Sequence, residues 1–171
     1  MRNFRFAFVL TAAAVSIFAG TMWLAAHSAS AASKDNDTLS ADTYQELARA
    51  RAATARFHNI DQALLDGYVQ ASPDIPGEGF HYVNFSLVDC EFNPETPEVL
   101  HYGFVPNEKQ LHLLGVEYVA PIACGEPPDG FTGDADEWEQ EAGGPPLFSL
   151  NAWIWRNNPE GIFAAKNPLV P

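Results

Sequence analysis

The chain has 171 residues, with 22 acidic side chains against 9 basic ones and a formal net charge of −13. That length suits one domain plus a targeting segment. The acidity argues against nucleic acid and anionic membrane surfaces as partners, since both need clustered Lys and Arg, and it fits solubility outside the cytoplasm.

Arg2 and Arg5 precede an apolar run from Phe6 to Ala26, broken only by Thr11, Ser16, Gly20 and Thr21. Ala29-Ser30-Ala31 then offers an A-x-A cleavage pattern, so residues 1–31 read as a signal peptide. The expected location is secreted or periplasmic. The run is long for such a segment, and an uncleaved N-terminal anchor on an exported protein is the second reading. No Cys lies close after the run, which does not fit a lipoprotein anchor. Residues 32–40 read as a linker and 41–171 as a single α+β domain.

Asp42 and Gln45 resemble a capping box opening an Ala-rich helix that runs to about Phe57. Tyr44, Leu47, Ala48 and Ala55 would form its narrow apolar stripe. Asn59 is placed to cap a second, short helix through Leu65, stopped by Gly67. Pro73, Pro76, Gly77 and Gly79 mark a loop, and Phe80 to Asn84 reads as a strand. A second loop follows at 92–97. Two runs rich in β-formers, EVLHYGFVP and KQLHLLGVEYVAP, then flank Asn107-Glu108 and predict a hairpin. Gly125 to Gly144 is acidic and rich in Gly and Pro, a long loop with no core of its own. Phe148 to Trp155 reads as a last strand, and residues 158–161 as a turn. The fold class is α+β, with N-terminal helices followed by a mostly antiparallel sheet around a central hairpin.

A turn at Asn107-Glu108 sets the expected hairpin register. Phe104 then faces Leu111, Tyr102 faces Leu113, Leu100 faces Gly115 and Glu98 faces Glu117, all on one side of the sheet. Opposed carboxylates on an apolar face are destabilising. A shared cation, a shared proton or exposure at the rim would relieve the pair. A shared proton would raise one carboxyl pKa, as a general acid needs. His101 and His112 fall on the opposite side, where two imidazoles alone are too few for a metal site.

Cys90 and Cys124 are the only cysteines, and an isolated pair in an oxidising compartment is expected to form a disulfide. No C-x-x-C spacing favours a thiolate metal ligand or a redox thiol. Phosphate-loop, zinc-protease and nucleophile-elbow motifs are absent from the sequence.

The segments GFHYVN (79–84), PEVLHY (97–102), LLGVEYVAP (113–121) and LNAWIWRNNPEGIFAAKNP (150–168) occur in an order that resembles a family of small secreted bacterial proteins of uncharacterised function. ARFHNIDQALLDGYV (55–69) resembles the helical start of the same family, so the similarity spans about Thr54 to Pro168. The resemblance implies no biochemical activity. It does imply a ligand set: two His and two Glu in the order H…E…E…H, which suits a divalent transition metal. The corresponding positions are His81, Glu98, Glu117 and Asn151, with Asn151 standing where the family's L-H-V-W-[IL]-W pattern has histidine. An amide oxygen is the weaker ligand, so the site is expected either to hold its metal with three groups or to have lost it. In the latter case Asn151 would donate its N–H₂ to a glutamate.

Two further readings lie beside a metal site. Tyr102, Trp153 and Trp155 would form the apolar wall of a small-ligand site, although alternating aromatics on a strand more often fill a core. The acidic run from Asp129 to Glu141 would serve an interaction protein, or hold calcium without the ligand order of a calcium-binding loop.

Overall fold

The computed structural model describes residues 39–140 and 144–171, which lie in one compact unit, Asn36–Pro171. The expected signal peptide over 1–31 and nearly all of the linker lie outside the described residues.

Helix α1 (Ala41–Thr54) begins two residues earlier than a cap at Asp42 would allow. Ser40 is the N-cap, its Oγ accepting from the Thr43 N–H at 3.0 Å, and Asp42 instead lies in the first turn. A carboxylate there favours the positive end of the helix dipole. The buried stripe is Thr43, Leu47, Ala50 and Thr54, while Tyr44 is exposed. Both threonines can be buried because their hydroxyls are satisfied: Thr43 donates to the Thr132 carbonyl and Thr54 to that of Ala50. A 3-10 turn (Ala55–His58) leads to α2 (Ile60–Leu65), capped as expected by Asn59, whose Oδ1 accepts from the Asp61 N–H. Gly67 follows at φ +95°, a conformation that suits glycine after a helix.

Six antiparallel strands form one sheet in the order β1-β2-β3-β4-β6-β5. They are β1 (Val69–Gln70), β2 (Phe80–Val83), β3 (Val99–Phe104), β4 (Leu111–Pro121), β5 (Glu139–Gln140) and β6 (Leu147–Ala152). One face carries Tyr82, Leu100, Tyr102, Leu113, Val116, Tyr118 and Leu150, and it packs with Leu47, Ala50 and Phe57 of the helical segment in the main core. Tyr102 ties the two layers together by donating to the Phe57 carbonyl at 2.6 Å. On the other face Leu114, Trp153 and Val170 form a small separate cluster.

The hairpin's register departs from expectation at one point. Phe104↔Leu111, Gly103↔His112 and Tyr102↔Leu113 pair as read from the sequence. Between Tyr102 and His101 the ladder then slips by one residue, leaving Leu114 without an opposite number, so His101 pairs with Gly115, Leu100 with Val116 and Val99 with Glu117. This is a β-bulge, and a one-residue slip moves every later side chain to the other face. Glu98 therefore does not face Glu117. Glu98 shares the parity of Leu100 and Tyr102, whereas Glu117 joins the His101 face. The slip removes the like-charge opposition that the even register would have imposed.

The last strand ends at Ala152, short of the tryptophans. Trp153 N–H bonds to the Ile162 carbonyl and Trp155 N–H to that of Leu114, so this segment leaves the regular ladder. The acidic stretch from Gly125 also contributes more than a bare loop. Phe131 is buried against Phe92, Tyr118 and Phe163, and Glu139–Gln140 forms edge strand β5. Cys90 and Cys124 form the expected disulfide, with Cα atoms 5.8 Å apart.

Candidate metal centre

Four residues converge on the face away from the helices. His81 on β2 pairs with His101 on β3, and their rings stack with centroids 4.5 Å apart and planes 18° apart. The bulge places Glu117 of β4 on this face, with its Oε2 3.2 Å from His101 Nε2. Asn151 of β6 lies directly opposite Glu117 in the β4–β6 ladder. His101 is 1% exposed, Glu117 7% and Asn151 9%, so the group is closed to water except past His81.

Two glycines make room for this arrangement. Gly115 sits opposite His101, and a Cβ there would come within 2.9 Å of the Ala152 carbonyl oxygen. Gly79 has φ +80°, and its Cβ would fall 2.3 Å from the Tyr102 carbonyl oxygen, so no larger residue fits between β2 and β3. The turn it makes brings Glu78 Oε2 to 3.4 Å from His81 Nε2, while Lys166 Nζ holds Glu78 Oε1 at 3.0 Å. The Trp153 ring stands edge-on to His101, with centroids 5.3 Å apart.

Electrostatics favour the ligating forms. Burial pushes the His101 pKa below its usual value and keeps the imidazole neutral. Burial is the largest single influence on Glu117 and would raise it, but the hydrogen bond to His101 together with the electrostatic influence of His101 and His81 outweighs it and holds the carboxyl below the usual range. Glu78 is pulled down to about 2, first by its hydrogen bond with His81 and then, against the cost of burial, by Lys166.

One nitrogen each from His81 and His101 and one oxygen from Glu117 lie within 4.8 Å of one another. Two ligands around a tetrahedral ion with bonds near 2.0–2.2 Å are separated by about 3.3 Å. The His101–Glu117 separation of 3.2 Å already matches this. These three groups could hold a divalent metal. Two imidazoles and a carboxylate with an open position are the donor set of catalytic zinc sites and of non-haem iron sites. Asn151 Oδ1 is buried with no hydrogen-bond partner, an acceptor lacking a donor or a cation beside Glu117.

Of the residues expected from the sequence, His81, Glu117 and Asn151 come together, and Glu98 does not join them. Its Oε2 instead accepts from the Val119 N–H at 3.1 Å, and burial, reinforced by Asp89 and Glu117, pushes its pKa up to about 7. His101, which the even register places with His112 on the opposite side, takes the place expected of Glu98. His112 lies apart, its Nε2 2.6 Å from Glu108 Oε2 in the hairpin. Of the expected aromatic wall, Trp153 and Trp155 line one cleft, and Tyr102 does not join them. Tyr102 is fully buried in the main core, whereas Trp153 lies on the His101 face, with its indole N–H donating to the Ala164 carbonyl. In the acidic segment, Asp136 accepts from the Phe131 N–H, so that carboxylate serves the loop. No family model, curated protein or solved structure matches this chain.

Proposed function

We propose that this is an extracytoplasmic domain that binds one divalent transition metal through His81, His101 and Glu117, with the Asn151 amide oxygen as a weaker fourth group. The observation that carries the reading is the convergence of three ligand atoms within 4.8 Å on a buried face. A neutral His101, an ionised Glu117 and an unpaired Asn151 acceptor support it. In this reading Glu78 is an outer-shell carboxylate that orients His81, the role such groups commonly play beside ligating histidines. Action outside the cytoplasm rests on the signal-like sequence of residues 1–31 and on the Cys90–Cys124 disulfide. Kinship with the secreted bacterial family belongs to the same proposal, because a histidine at position 151 would fall opposite Glu117. The test is metal content and affinity of the purified protein. One equivalent of zinc or a similar ion bound by the parent and lost in His101→Ala supports the proposal; equal binding by both removes it.

A further inference from the structure

A cleft of about 380 Å³ lies beside α1, bounded by Tyr44, Arg51, Ile154, Trp155, Arg156 and Asn157. Its size falls within the range of small-molecule sites. Its charge runs against that of the chain: the net charge is −13, yet among the described residues none that lines the cleft is acidic.

The two arginines there differ from the other described arginines. Elsewhere Arg49 meets Glu46 and Glu95, Arg56 meets Asp66, and Lys166 meets Glu78. Among the described residues, neither Arg51 nor Arg156 has a carboxylate partner. Arg51 lies over the Trp155 ring, 5.0 Å from its centroid. Arg156 reaches only the Leu169 carbonyl, at 3.4 Å. The platform between them is fixed, because Trp155 donates its indole N–H to Thr54 at 3.1 Å, and Thr54 is fully buried in α1.

We propose that this cleft binds a small organic carboxylate with a flat apolar body. The carboxylate pairs with the guanidinium groups, which suit it as planar donors. The apolar body lies against Trp155 and Ile154. The exposed Asn157 amide supplies a further donor at the rim. The surrounding negative field disfavours polyanions and leaves a small monoanion as the ligand that gains from two local positive charges. This inference does not depend on the metal reading.

The test uses protein treated with a chelator and then desalted. Its amide and indole N–H resonances are followed during titration with benzoate and indole-3-acetate, and separately with benzamide and inorganic phosphate. Saturable shifts at the Trp155 indole N–H with either carboxylate, and none with benzamide, are expected. The Arg51→Gln/Arg156→Gln double variant should lose about tenfold or more in affinity, the scale of charge-assisted hydrogen bonds. Asn157→Asp is exposed, leaves the arginines in place, and should also weaken binding by adding negative charge. Equal shifts with benzamide, saturation by phosphate alone, absence of any saturable shift, or unchanged affinity in both variants would each overturn the proposal. So would carboxylate binding that appears only after metal is restored, which would place the ligand at the metal instead.

Discussion

His101 Nε2 lies 3.2 Å from Glu117 Oε2, across the one irregularity in the β3–β4 ladder. Without the bulge at Leu114 these side chains would point to opposite faces, and Glu117 would oppose Glu98. The bulge thus converts a repulsive pair of carboxylates into a neutral imidazole beside a carboxylate.

The first expected outcome separates the two glutamates. Glu117→Gln should weaken zinc affinity by at least about 100-fold, more than is typical for loss of an outer-shell partner. Glu98→Gln should leave affinity within about twofold. Isothermal titration of both variants checks this, and equal losses would restore Glu98 to the site.

Asn151 is expected to act oppositely on stability and on affinity. An unpaired buried acceptor costs about 1–3 kcal/mol. Asn151→Val removes it and suits a strand, so the metal-free protein should become more stable by roughly 1 kcal/mol while its metal affinity falls. Asn151→His should raise affinity, since imidazole is the better ligand. Chemical denaturation of the metal-free variants and metal titration supply the two readings. A Val variant with unchanged affinity would leave Asn151 a purely structural residue.

Much of the architecture was legible in the sequence. The cap at Asn59, the short second helix, the hairpin centred on Asn107-Glu108 and the three pairs nearest its turn all follow from local chemistry. The site was legible only in part, because which face a strand residue occupies depends on every residue between it and the turn. A signal was present nonetheless. Gly115 interrupts an otherwise continuous run of β-formers, and an isolated glycine in a strand often marks a bulge or a close backbone approach. Counting one extra residue there brings Glu117 onto the face of His101. The end of β6 at Ala152 was hidden for a different reason. Trp153, Ile154 and Trp155 have strand-like chemistry, but their backbone bonds go to Ile162, Ala152 and Leu114 rather than along a ladder.

Glu98 gives the protein a pH signature. Its pKa is raised from the ordinary value of 4.5 to about 7, mainly by burial. The folded state therefore holds the proton more tightly than the unfolded state does. The stabilisation is full below about pH 4.5 and disappears as pH rises through about 7. Glu98→Gln mimics the protonated form. It should raise the melting temperature at pH 8, change little near pH 4, and flatten the profile between. The upper limit is roughly 3–4 kcal/mol. Thermal melts across this range check the sign, and a variant less stable than the parent at pH 8 would contradict it.

The disulfide spans a sequence separation of 34 residues. Closing a loop of that size restricts the unfolded chain by about 3–4 kcal/mol at room temperature. The Cys90→Ser/Cys124→Ser variant should lose stability of that order in denaturant titration. A loss well under about 1 kcal/mol would mean that the loop is already restrained without the bond.

The central claim is a metal centre formed by His81, His101 and Glu117, and cobalt(II) titration tests it most directly. Cobalt substitutes for zinc in such nitrogen and oxygen sites, and its visible ligand-field bands report both stoichiometry and coordination geometry. The expected result is saturation at one equivalent, with bands of a four- or five-coordinate site that disappear in His101→Ala and are displaced by zinc. Absence of a saturating spectrum in the parent, or the same spectrum in His101→Ala, would contradict the claim.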